Sequence, residues 1–168
     1  MPANIFEPTA NGYAGRVRLF GIDEAADRIA AARAAAPRGS FVLNARTDAF
    51  FVAGIDDPFA ETVARVHRFV EAGADCVFVP GVNDEETIRR LAAEIPVPLN
   101  IVAGLAERII PVPQLFALGA KRVSLGGSLA RAALTALERA GQELLDTGTL
   151  GFLDGALPYA EVQRRFAR

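Results

Sequence analysis

The stretch with the most chemical content is Asn44-Ala45-Arg46-Thr47-Asp48, which continues the apolar run Phe41-Val42-Leu43. A guanidinium at the end of a buried strand can grip a carboxylate or phosphate through two parallel hydrogen bonds. Thr47 and Asp48 stand close enough in sequence to orient it. The same residues also support an ion pair, Arg46 with Asp48, that only ties the rim together. Both readings stand at this point. Asn100, within Pro98-Leu99-Asn100-Ile101, poses the same choice. A buried amide needs hydrogen-bond partners, and either a substrate carboxylate or a neighbouring strand can supply them. Farther along, Ser124-Leu125-Gly126-Gly127-Ser128 opens a long helical pattern. Free N–H groups at a helix start attract anions, so a phosphate site and a plain tight turn capped by Ser128 both fit.

Other chemistries have weaker footing. The single cysteine, Cys76, excludes an internal disulfide and a multi-cysteine metal site. It sits in Cys76-Val77-Phe78-Val79 and reads as a small buried hydrophobe. A cysteine–histidine mechanism would need His67, which lies on an amphipathic helical pattern over 61–72 and reads as an ordinary helix histidine. Asp57 in Asp56-Asp57 and the acids of Asp84-Glu85-Glu86 suit helix starts, where carboxylates meet the positive end of the dipole. The 168 residues carry 18 basic and 20 acidic groups, a net charge of -2, with no block of like charge. That pattern offers nothing to nucleic acid or to an anionic membrane. Met1-Pro2-Ala3-Asn4 lacks the features of a secretory leader, and no apolar run has the length of a membrane span. The expected location is cytoplasmic.

Short apolar runs must position these groups. Strands are expected at 41–45, 76–79, 99–102 and 122–125, with a weaker one at 3–6. Their near-continuous apolarity predicts burial on both faces. Helical patterns fill the gaps at 23–36, 57–72, 84–94, 113–118 and 128–146. Asp57 and Pro58 form a cap and first turn, and Gly73 and Gly119 act as stops. The last three clear strands start about 23 residues apart, which leaves room for one crossover helix each. The expectation is a single α/β domain over 1–168 with about five βα units and parallel strands. Regular spacing and the lack of a Gly-x-Gly-x-x-Gly turn favour part of a TIM (β/α)8 barrel over a doubly wound sheet. Residues 151–168 read as a loop and a terminal helix.

Several of these runs together resemble one family. Phe41–Phe50, with its Asn44-Ala45-Arg46-Thr47-Asp48 core, resembles the fifth strand of the isocitrate lyase/phosphoenolpyruvate mutase superfamily. Ala72-Gly73-Ala74-Asp75-Cys76-Val77-Phe78-Val79-Pro80-Gly81 resembles its sixth strand, Pro98-Leu99-Asn100-Ile101 its seventh, and Gly119-Ala120-Lys121-Arg122-Val123-Ser124 its eighth. Leu153-Asp154-Gly155-Ala156-Leu157-Pro158-Tyr159 is similar to a phosphonomutase-like subgroup. The resemblance implies a lyase or mutase that breaks or moves carbon–carbon or phosphorus–carbon bonds in small 2-oxo or 2-hydroxy carboxylic acids, through a magnesium-stabilised enolate. It implies Arg46 as the catalytic and substrate-holding group, with Asn44, Asp48 and Asn100 as further substrate contacts. Strands four to eight of the family are matched, and the first three, with most of its magnesium carboxylates, have no counterpart here. Asn4-Ile5-Phe6-Glu7 stands where the family has Ile-Glu-Asp, which leaves Glu7 as the metal-ligand candidate. The expected partners are a small carboxylate substrate and further copies of the chain. The competing expectation is a non-catalytic barrel part that acts as an oligomeric interaction module.

Overall fold

The computed structural model describes residues 18–105 and 109–167, together with the backbone of residues 3–5. Five short strands are present: β1 (Ala3–Ile5), β2 (Leu43–Arg46), β3 (Cys76–Phe78), β4 (Leu99–Val102) and β5 (Arg122–Ser124). They form one parallel sheet in the order β1-β2-β3-β4-β5. Four helices make the crossovers: α1 (Ile22–Ala35), α2 (Pro58–Glu71), α3 (Glu85–Glu94) and α4 (Val112–Ala117). A doubly wound sheet must reverse its strand order at a switch point. Here the order follows the chain without reversal, which is barrel order.

Local chemistry sets the element ends. The Asp57 side chain accepts a hydrogen bond from the Ala60 amide at 3.0 Å, with Pro58 in the first turn of α2. Asp84 does the same for Thr87 at 2.7 Å and starts α3. The strand expected at 41–45 forms two residues later at its start. At that start the Leu43 amide donates to the Asp75 carboxylate at 2.8 Å.

The chain divides into two compact units, residues 1–126 and residues 127–168. In the first, one face of the sheet meets the helices. Leu43, Ala45, Val77, Leu99 and Ile101 from the strands, with Val79 just past β3, pack with Ile29, Val66, Phe69, Ile88, Leu91 and Leu115 from the helices. Burying each such side chain contributes about 1.5–3 kcal/mol. The expected burial on both faces holds for β2, β3 and β4, where Asn44, Cys76, Phe78 and Asn100 are buried on the second face, but that face is not uniformly apolar. Strand residues alternate, and the intervening positions carry Asn44, Arg46, Asn100, Arg122 and Ser124, alongside Cys76, Phe78 and Val102. The second face is largely polar.

An ionic staple ties the N-terminal ends of β2 and β3 to α1. Arg33 pairs with Asp75, donates from Nε to the Gly73 carbonyl at 3.0 Å, and reaches the Ala36 carbonyl at 2.9 Å. Arg38 adds a second bond to Asp75 at 2.7 Å. Gly73 follows α2 with φ of 109°, and a Cβ there would sit 2.8 Å from Arg33 Cγ. Only glycine therefore allows both the left-handed turn and the close approach.

In the second unit, α5 (Ser128–Thr147) ends at Gly148, whose φ is 68°. Gly127 occupies the cap position and Ser128 begins the helix, so the expected Ser128 side-chain cap is corrected. A single turn at Gly151–Leu153 and α6 (Tyr159–Phe166) follow. The Glu143 carboxylate holds the turn by accepting from the Thr149 hydroxyl at 2.6 Å and the amides of Gly151 and Phe152 at 2.6 and 3.0 Å.

Burial pushes the Asp75 carboxyl up, but the Leu43 amide and the Arg33 and Arg38 guanidinium groups outweigh it. The net result holds the carboxyl below the usual carboxylate range. A carboxyl depressed in the folded state adds stability that is complete above its unfolded pKa and is lost as pH falls through the folded one. Asp75→Asn is expected to cost about 2 kcal/mol at pH 7. In urea melts followed from pH 7 down to pH 3, the gap between wild type and variant should stay level to about pH 4 and narrow progressively below it. A gap that stays constant over that range would rule out the staple as its source.

Candidate active site

Ligands in parallel α/β folds bind at the C-terminal ends of the strands. At the end of β2, Arg46 Nε donates to Asp48 Oδ1 at 2.7 Å. The Asp48 side chain is 1% exposed and that of Arg46 15%. A carboxylate buried this deeply needs its cation. Asp48 therefore fixes the guanidinium, and Asp48 is in turn fixed by the tight turn that follows it. The amides of Phe51 and Val52 both donate to its carbonyl, at 2.8 and 3.1 Å. The Thr47 amide donates to the Phe78 carbonyl at 3.1 Å, which ties this turn to β3. The Arg46 guanidinium lies 5.4 Å from the centre of the Phe78 ring, within cation–π range.

Register extends the site across the sheet. Arg46 pairs with Phe78, Phe78 with Asn100, and Asn100 with Arg122. Partners in a parallel register point to the same side, so these four residues form one row. Asn44 lies on the same face one step toward the strand starts, level with Cys76. Asn100 is 1% exposed, and among the described residues neither of its side-chain polar atoms has a hydrogen-bond partner. The buried Thr47 Oγ1, Ser124 Oγ and Arg122 Nη1 are in the same condition. An unmet buried polar group costs about 1–3 kcal/mol, so a cluster of them on one face marks a place built for something other than stability.

The structure thus brings together Arg46, Asp48, Asn44 and Asn100, the substrate-binding candidates read from the sequence. Glu7, the metal candidate, lies outside the described residues. His67 is exposed on α2 and takes no part. Cys76 is buried among the strands. Burial pushes its thiol up, while the Arg122 guanidinium pulls it the other way. Sequence reasoning passed over Arg122 and took Ser124 only as the start of the turn Ser124–Ser128, not as a member of this face. Their signal was the two-residue spacing within Arg122-Val123-Ser124, the same spacing that sets Asn44 and Arg46 on one face.

A cavity of about 230 Å3 opens at the C-terminal ends of β3 and β4, and none of the four row residues lines it. Gly81, Val82, Ile101, Val102 and Leu105 are among its lining residues. It supplies space and apolar surface but no acid or base.

Magnesium, which the sequence resemblance implies, prefers octahedral oxygen ligands that include one or two carboxylates. Among the described residues no group of three His, Cys, Asp or Glu side chains is placed to hold a metal ion. Asp48, the carboxylate at the end of β2, is already committed to Arg46. The described residues therefore do not fit the metal.

Comparison with known proteins agrees with this layout. Residues 3–145 match the family described as phosphoenolpyruvate phosphomutase. The chain is 34% identical over 143 residues to an oxaloacetate decarboxylase of Paraburkholderia xenovorans, covering 85% of this chain and 46% of that protein. It is 37% identical over 92 residues to a 2-methylisocitrate lyase of Bacillus subtilis, covering 55% of this chain and 29% of that one. Among solved structures, a candidate lyase/mutase from Burkholderia cenocepacia superposes with a TM-score of 0.84 at 38% identity, covering 95% of this chain and 57% of the other. Oxaloacetate acetylhydrolase bound to its product oxalate superposes with a TM-score of 0.74 at 27% identity, covering 89% and 52%. The chain spans about half the length of the relatives it matches. Its strand order, its polar sheet face and these matches place the chain in the phosphoenolpyruvate phosphomutase family, within the isocitrate lyase/phosphoenolpyruvate mutase superfamily of TIM barrels.

Proposed function

We propose that this chain carries the carboxylate-holding part of a lyase or mutase site for small 2-oxo or 2-hydroxy carboxylic acids. The observation that supports this most is the row itself. A guanidinium fixed by a buried aspartate stands level with an amide that has no partner of its own among the described residues. Arg46 would take the substrate carboxylate in a bidentate grip. Asn100 and Asn44 would orient the rest of the molecule by hydrogen bonds. Breaking the bond next to a carbonyl leaves an electron pair that spreads onto oxygen as an enolate. Fixed donors facing that oxygen lower the barrier because they need no reorganisation as charge develops. Relatives whose names specify oxaloacetate or methylisocitrate chemistry support the substrate class.

A second reading also has an observation behind it. Because the donor set on the described residues does not suit magnesium, the chain would then be a non-catalytic barrel part that acts by assembling with further copies. The first and last strands of the sheet, β1 and β5, would supply pairing edges for that assembly.

Turnover separates the two. Oxaloacetate, methylisocitrate and phosphonopyruvate would be followed by NMR with and without magnesium, using wild type and a folded Arg46→Gln variant. The enzyme reading expects one substrate to be consumed and the variant to lose at least 100-fold. A folded wild type that consumes none of them, and sediments as an oligomer, would replace that reading with the second.

The ion pair makes a separate expectation about stability. Arg46→Ala alone leaves Asp48 buried without its cation and should cost roughly 3–5 kcal/mol. In a double-mutant cycle, adding Asp48→Ala should recover part of that loss. Purely additive costs would mean that the pair is not coupled.

A further inference from the structure

We propose that Arg122, Asn100 and Ser124 form a second anion-holding subsite on the polar face of the sheet, which takes the second acid group of a dianionic substrate. The inference rests on the reading of Arg46 as the holder of the first. Three observations carry it. Asn100 is 1% exposed, and among the described residues its amide has no hydrogen-bond partner on either polar atom. Arg122 is level with it on the adjacent strand, and its Nη1 is buried without a hydrogen bond among the described residues. Ser124 follows on the same face, two residues toward the C-terminal end of β5, and its buried Oγ is likewise unmet.

Each of these groups can donate a hydrogen bond to a carboxylate oxygen, and one of them brings a permanent positive charge. No described carboxylate pairs with Arg122, in contrast to Arg33, Arg46 and Arg65, each of which has an acidic partner. A guanidinium with a buried nitrogen and no anion is costly, and a bound carboxylate removes that cost.

The spacing sets what would bind. Arg46 and Arg122 stand on β2 and β5, three strand steps apart, or roughly 14 Å between backbones at about 4.8 Å per step. Long side chains from the ends of the row can therefore approach a common ligand from opposite sides, as interior residues of a closed barrel do. Phe78 and Asn100 lie between the two cations. A compact molecule with an acid group at each end fits this order of cation, ring, amide and cation.

Isothermal titration calorimetry of the full chain with malonate and with acetate tests the proposal. Wild type should bind malonate at least tenfold more tightly than acetate. Arg122→Gln should bring the two ligands within about threefold of each other, Ser124→Ala should shrink the preference several-fold, and Arg122→Lys should restore part of it. Arg46→Gln should weaken both ligands. Thermal melts check that each variant folds, and Ser124→Ala with Arg122→Lys carry the test if Arg122→Gln does not. If the folded Arg122 and Ser124 variants keep the wild-type preference while Arg46→Gln weakens binding, the second subsite is wrong and the reading of Arg46 stands. If Arg46→Gln changes neither ligand, the reading of Arg46 is wrong. A wild type with no preference for malonate overturns the second subsite as well.

Discussion

The parallel register of the sheet is the constraint on which both the core and the site depend. Side chains alternate along a strand, so a fixed register sorts every residue to one face or the other. Leu43, Ala45, Val77, Leu99 and Ile101 go to the helices, and Asn44, Arg46, Asn100 and Arg122 go to the opposite face. A slip of one residue in β2 would drive an arginine and an asparagine into the apolar layer and move its leucine to the polar face. The cost of that exchange is many times the gain from any single hydrogen bond. The apolar face therefore aligns the polar one, although the residues on the two sides never need to touch.

Stability and function then occupy opposite ends of the same strands. At the N-terminal ends, Arg33, Arg38 and Asp75 satisfy one another and the surrounding backbone, and Gly73 closes the last gap. Toward the C-terminal ends, Asn100 within β4, Thr47 just past β2 and Ser124 at the end of β5 are buried at side-chain atoms with partners missing among the described residues. Natural proteins satisfy nearly all buried polar atoms. The contrast between the two ends, within strands of three or four residues, is the clearest physical sign of where a ligand belongs.

Much of this was legible in the sequence. Helix starts at Asp57 and Asp84 followed from capping chemistry, and the stops at Gly73 and Gly119 from their place after helical patterns. Barrel order followed from regular spacing. Arg46 and Asn100 stood out because strand-end and mid-strand polar residues are conspicuous in apolar runs. The two faces of the sheet were not separated, because Leu43, Val77 and Ile101 made the runs look uniformly apolar. Arg122 was passed over for the same reason, since it opens a run and looks like a flanking charge. Arg65 was only partly legible. It lies at 3% exposure on α2, where Glu61 four residues earlier and the Phe20 carbonyl satisfy it; the i,i+4 spacing is readable in the sequence, the contact with Phe20 is not.

The central claim is that a small carboxylate binds on the row of Arg46 and Asn100. Titrating oxalate into the isotopically labelled protein and following the side-chain N–H signals tests it most directly. Saturable shifts are expected at the Asn100 and Asn44 amides and at Arg46 Nε–H, with little change at Gln114 or Gln142. Shifts confined to the backbone around Gly126–Ser128, or none at all from a folded sample, would contradict it.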